Sequence, residues 1–189
     1  MSDHFTDAAG RPHTVRDAQP ADEPALWSLF QACADYFEAA TGLPPAPGDV
    51  QSLFYGLPEG ADWDDKRILV ATDADGTVVA LADVVMRYPA PEDCSVGLFL
   101  VHRSRQRASL GTSYATHLIR KATETGVRRI TATVPRGWES GRRFLGALSF
   151  TFTGVPAREE SRNRNRGPRE TAVDVAELRV DGGAEGVTS

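Results

Sequence analysis

Gln106-Arg107-Ala108-Ser109-Leu110-Gly111-Thr112 joins an apolar run, Cys94 to Val101, to a segment with helical spacing. That arrangement suits one kind of chemistry. A loop that opens a helix presents backbone N–H groups with no intrahelical partner, and the helix dipole adds positive potential at the same point. An anion, above all a phosphate or pyrophosphate, is held well there. Close approach needs small side chains, which Ala108, Ser109, Gly111 and Thr112 supply. Arg103, Arg105 and Arg107 add charge that steers an anionic ligand. A plain solvated turn could be written with the same residues, so the loop by itself leaves both readings open.

The elements that must position this loop are read from periodicity. His13 to Gln19 reads as a first strand. Residues 21–42 read as a helix, with Asp22 as cap, Pro24 in the first turn and Gly42 as terminator. Leu26, Phe30, Cys33 and Phe37 form its buried stripe. A second short helix follows near residues 49–57. "RILVATD" and "TVVALADVVMRY" are strands either side of a hairpin turn, and "CSVGLFLV" is a fourth strand. Leu110 to Thr125 is helical, with Leu110, Tyr114, Leu118 and Ala122 on one side. "RITATV", "ESGRRFLGAL" and "SFTFTG" continue as strand, helix and strand, and "TAVDVAELRV" as a last strand. This order predicts an α/β fold of the α+β type, one domain on a mixed, mostly antiparallel sheet flanked by helices. Residues 1–12 and 181–189 are expected to be flexible, with the domain at 13–180.

The chain has 189 residues, 41% hydrophobic and 25% charged, which suffices for one buried core. A net charge of −5 argues against a dedicated nucleic-acid binder. By the same reasoning the loop containing Arg158, Arg162, Arg164, Arg166 and Arg169 reads as solvated. Cys33 and Cys94 stand far apart and make no metal or disulfide framework. No apolar run reaches membrane-spanning length and the polar start is not a signal peptide, so a cytoplasmic protein is expected, with no membrane partner.

Phe99-Leu100-Val101 ending a strand, then Gln106 to Gly111 opening a helix, then "RRFLGALSF" (Arg142 to Phe150) before a later strand, resembles the GCN5-related N-acetyltransferase (GNAT) superfamily. The likeness runs over roughly residues 13 to 155. It implies a twisted sheet splayed between the fourth and fifth strands, and acetyl-CoA or another acyl-CoA as co-substrate, with no metal. The implied pyrophosphate contacts are Gln106, Arg107, Ala108, Ser109, Gly111 and Thr112, with Leu110 in the same loop. The pantetheine arm would meet the main chain of the strand end, Phe99, Leu100 and Val101.

This chain departs from the family pattern in several places. Ser109 stands for the first glycine of the loop. Leu145 stands where many members carry the tyrosine that protonates the leaving thiolate, and Trp138 where asparagine is frequent. Ser95 replaces a strand glutamate that serves some relatives as base. Ser95 could still hold a water, with Asp83 or Glu92 behind it; Asp83, Glu92 and Asp93 all lie on the third strand or the turn before the fourth, near where an acceptor amine would arrive. Asp35, Tyr36 and Glu38, on the helix that covers the acceptor cleft in such folds, are the candidates for meeting an amine. His117 reads as a packed side chain. The expected reaction is direct attack of a primary amine, on a small molecule or peptide, upon the thioester in a ternary complex. The alternative is a catalytically degenerate acyl-CoA-binding regulatory module. A monomer or homodimer fits either.

Overall fold

Leu26, Phe30, Cys33 and Phe37 are all buried, as their spacing predicts, but two helices share the stripe. α1 (Glu23–Ala32) and α2 (Ala34–Thr41) break at Cys33, whose backbone leaves the helical region at φ −114°, ψ 31°. Asp22 precedes α1 without capping it; its carboxylate instead takes a fork of two hydrogen bonds from Arg16 (2.6 and 2.8 Å). Gly42 ends α2 in the left-handed region that glycine adopts without strain.

This computed structural model describes residues 3–156 and 173–180. The arginine-rich loop and the expected tail at 181–189 lie outside the described residues. The strands are β1 (Asp3–Thr6), β2 (Pro12–Asp17), β3 (Lys66–Thr72), β4 (Val78–Met86), β5 (Asp93–Val101), β6 (Arg129–Pro135), β7 (Thr151–Pro156) and β8 (Val173–Arg179). α3 (Pro47–Tyr55) follows α2, α4 (Leu110–Glu124) joins β5 to β6, and α5 (Glu139–Ala147) joins β6 to β7. They build an eight-stranded sheet in the order β1-β2-β3-β4-β5-β6-β8-β7. Among the described strands only β5 and β6 run parallel; every other neighbouring pair is antiparallel.

Each face of the sheet buries its own core. Leu26, Leu29 and Phe30 of α1 and Val50 of α3 pack on Val70, Leu81 and Leu100. On the other face Leu110 and Tyr114 of α4 lie over Ala80, Ala82, Cys94, Ile130 and Ala132. The small alanines let α4 approach closely, and the buried Tyr114 hydroxyl is satisfied by donating its proton to Leu69 O at 3.0 Å.

β1 lies inside the stretch expected to be loose. One aromatic ring explains it. Phe5 stacks on His13, Tyr114 and His117, with centroids 5.0, 5.8 and 5.4 Å apart, and Asp3 pairs with Lys121 of α4 at 2.9 Å. The turn between β1 and β2 is fastened by Asp7. Its buried carboxylate accepts from the N–H groups of Ala9 and Arg11 and from the side chains of Arg11 and His13. Burial alone would push this carboxyl up, but the hydrogen bonds from Arg11, His13 and Ala9 bring it down to about 2. A free aspartate titrates near 3.9, so Asp7 adds its full stability above about pH 4 and loses it as the pH falls toward 2. Asp7→Asn should therefore lower the melting temperature at pH 7, with the gap closing between pH 4 and pH 2. A gap that stays constant in pH-dependent thermal melts would assign the effect to packing instead.

Candidate active site

β5 and β6 pair only from Asp93↔Arg129 to Val96↔Ala132. The cause is local. Asp83 faces Leu98 while Val84 faces Val96, so Gly97 is the extra residue of a bulge, and a bulge bends the strand that carries it. β6 stays with β8 along its length. Beyond Val96 the two strands part, which is the splay implied above, one strand later in the count because of β1. His102 N–H donates to Val79 O at 2.9 Å, and the alternation of antiparallel pairing then turns the main chain of Phe99 and Val101 into the gap.

Those free groups are not all equal. Val101 O already accepts from Gln106 Nε2 (2.8 Å) and Cys33 Sγ (3.2 Å), which occupies both lone pairs. Phe99 N–H and C=O and Val101 N–H are left for an incoming arm. Leu100 is a correction: its main chain turns to β4 and its side chain is buried under α1 and α3, so neither reaches the gap.

The loop after β5 opens α4 with no side chain capping its first amides. Ser109 takes the N-cap position at φ 62°, ψ −5°, and makes no side-chain cap; its hydroxyl donates to Ala108 O at 2.6 Å. A left-handed residue followed by a right-handed helix curls successive N–H groups into one concavity, a nest that suits an anion. This explains why glycine is common at the position. It also sharpens a prediction. Ser109→Gly should relieve a backbone cost of about 1 kcal/mol and leave acetyl-CoA affinity within a few-fold. Loss of binding in a titration of that variant would instead make the hydroxyl an essential ligand.

Arg107 is exposed and also left-handed, at φ 59°. Arg105 is tied at 2.9 Å to Asp73 in the β3–β4 turn, so its charge stays beside the loop without pointing freely into it. Leu110 is fully buried in the α4 core and can offer only its main chain. Gly111 leaves little room for a side chain. A Cβ there would stand 3.3 Å from Val101 Cγ2 and 3.4 Å from Phe144 Cε2.

A cavity of about 860 Å³ runs from this loop along the gap. Gln106, Arg107, Ser109, Gly111 and Thr112 line one part of it, and Phe99, Val101, Phe144 and Leu145 its apolar wall. Leu145 thus offers no acid where a tyrosine is common. Trp138 also lines the cavity; it covers Gly141, where a Cβ would come within 2.3 Å of the indole, and meets Tyr36 edge-on at 5.2 Å. Of the three acceptor candidates only Tyr36 lines the cavity; Asp35 and Glu38 are exposed on α2.

The proposed bases are placed unequally. Asp83 lies beside the bulge, its Oδ2 3.6 Å from the position a Gly97 Cβ would take; it does not line the cavity itself, whereas its neighbours Ala82 and Val84 and the facing Gly97 do. Lys66 Nζ donates to both its oxygens, at 2.8 and 3.0 Å. Burial pushes the Asp83 carboxyl up against the opposing pull of Lys66. Ser95 is half-buried on β5 between Val85 and Thr131, outside the cavity lining. Glu92 sits at the closed end of the β5–β6 pair, exposed and facing Arg128 at 3.3 Å, and the fold does not bring it to the gap. His117 is buried on α4, as a packed side chain should be, 3.2 Å from Asp3, and burial pushes its pKa down.

Reading the sequence missed Lys66 and the pair on Val101 O. Lys66 was out of reach: counting register back from the Asp73–Gly76 turn sets it opposite Val84, and only the bulge between Ala71 and Thr72 moves it opposite Val85, diagonal to Asp83. Cys33 meeting Val101 across the sheet had no local signal.

A sheet parted beside the uncapped start of a long helix leaves an open edge that leads to unpaired backbone N–H groups. The chain belongs to the acetyltransferase (GNAT) family, whose model matches residues 28–147. Solved structures share the fold. An acetyltransferase from Thermus thermophilus superposes with a TM-score of 0.66 at 21% identity, covering 89% of this chain and 97% of that one. The GNAT domain of S. lividans PAT gives 0.66 at 18% identity, with 95% and 97% covered. yncA from Salmonella typhimurium, solved with its cofactor acetyl-CoA, gives 0.60 at 18% identity, with 91% and 96% covered. No curated protein matches the sequence. Among the described residues no group of three or more His, Cys, Asp or Glu side chains could hold a metal ion, and no helix is long and apolar enough to cross a membrane.

Proposed function

We propose that this chain transfers an acetyl group from acetyl-CoA to a primary amine of a small molecule or peptide by direct attack in a ternary complex. The observation that carries this reading is the parted β5–β6 pair opening beside the uncapped N-terminus of α4. Coenzyme A supplies the activated thioester and an anionic handle. The α4 amides from Ser109 to Thr112, with Arg107 nearby, hold the pyrophosphate. Phe99 C=O and one of the Phe99 and Val101 N–H groups pair with the pantetheine arm, and the other N–H polarises the thioester carbonyl.

Asp83, beside the bulge, takes the amine proton through a water. The thiolate leaves without a protein acid, since its ordinary pKa near 8.5 already makes it a fair leaving group. Both cysteines speak against a covalent acyl-enzyme. Burial pushes each thiol up to about 12, which keeps it protonated and unreactive. Tyr36, against Trp138, forms the wall that an acceptor meets.

The test is coenzyme A release from acetyl-CoA with a panel of primary amines, paired with a mass-shift screen for the acetylated product. Turnover with at least one amine is expected. Tight acetyl-CoA binding with no turnover on any amine would favour a regulatory acyl-CoA-binding module, and no binding would remove the reading altogether.

A further inference from the structure

Arg11 lies in the turn between β1 and β2, outside the residues matched by the family model, yet it touches the donor loop. Its Nη2 is 3.5 Å from Ala108 O, and its Nε donates to Asp7 Oδ2 at 2.7 Å. The Asp7 side chain is fully buried and also accepts from Ala9 N–H, Arg11 N–H and His13 Nε2, so the guanidinium is fixed from behind. His13 is in turn clamped by Phe5.

The contact matters because of which carbonyl it meets. In a trans peptide the C=O and the following N–H point in opposite directions within the peptide plane. The Ala108–Ser109 bond is trans. Holding Ala108 O toward the hairpin therefore turns Ser109 N–H the other way, into the nest at the start of α4. Ser109 sits in the left-handed region, which a non-glycine residue leaves readily unless held, and its own hydroxyl is the second donor on the same carbonyl.

We propose that Arg11 is a positioning residue for the donor: by holding the Ala108 carbonyl it aims Ser109 N–H at the pyrophosphate. This rests on the acetyl-CoA reading above. The N-terminal hairpin is then part of the donor site, reached through Asp7 and His13.

The experiment compares two donors in the full chain. Arg11→Ala should weaken acetyl-CoA about three- to tenfold by calorimetry, the range of one lost hydrogen bond. Its kcat/KM with S-acetylpantetheine, which keeps the thioester but has no pyrophosphate, should stay within about twofold of wild type. Arg11→Lys keeps the charge without the fork that spans Asp7 and Ala108, and should bind as weakly as Arg11→Ala. Three results would overturn the inference: unchanged acetyl-CoA affinity in Arg11→Ala, equal loss with both donors, or full recovery in Arg11→Lys. In each of those cases wild type still binds acetyl-CoA, whereas wild type that fails to bind it overturns the donor reading itself.

Discussion

Gly111→Val is expected to weaken acetyl-CoA binding by more than tenfold. The glycine lies in the first turn of α4, where even a Cβ would meet Val101 Cγ2 at 3.3 Å and Phe144 Cε2 at 3.4 Å. The γ carbons of valine reach further into both. Overpacking of this kind costs about 1–3 kcal/mol. Here it is relieved by moving either the strand end that receives the pantetheine arm or the helix start that holds the pyrophosphate. Both movements displace donor contacts. Gly111→Ala needs a shift of only a few tenths of an ångström and should lose no more than a few-fold, which controls for a folding defect. Calorimetry showing wild-type affinity in Gly111→Val would rule out this loop as the donor site.

Asp83→Asn should lower turnover by about 10²-fold or more while leaving acetyl-CoA affinity in place. A base works when deprotonated, so the wild-type rate should rise with pH through the Asp83 pKa, which burial raises, and then level off. The bound amine could produce the same limb, and the profile by itself does not tell them apart. Lys66 does. It holds both Asp83 oxygens and pulls that pKa down, so Lys66→Met should move the limb to higher pH, while an amine limb would stay where it is. Lys66 is almost buried, with 6% of its side chain exposed, and removing one partner of such a pair is destabilising by about 3–5 kcal/mol. Melting temperatures of both variants must therefore accompany the kinetics. Full activity of a folded Asp83→Asn across pH 6 to 9 would leave bulk water as the proton acceptor.

The elements of this fold were legible because their signals are local. The stripe Leu26, Phe30, Cys33, Phe37 reports a buried helical face whether one helix carries it or two, since burial depends on spacing and not on a continuous backbone. What the pattern could not show was the break at Cys33, where the chain bends to carry Phe37 back over Phe30, their rings 4.7 Å apart. β1 was missed for the opposite reason. A four-residue strand with one apolar ring has almost no periodicity, and it is held by contacts from elsewhere: pairing with β2, the stack of Phe5 on His13, Tyr114 and His117, and the Asp3–Lys121 pair.

By itself the sequence determined the loop, the helix it opens and the apolar strand before it, because a turn, a dipole and small residues act within a dozen positions. The tertiary structure alone decided which charges act there. Arg105 is drawn to Asp73, Glu92 is left at the closed end of the sheet, and Lys66 is set on Asp83. It also decided that Val101 O is already taken by Cys33 and Gln106, and that Arg11 reaches Ala108. Each of these is a meeting of groups from separate elements. Such meetings follow from strand register and from the bend at Gly97, which bring distant residues within a few ångströms and leave no mark on the residues between them.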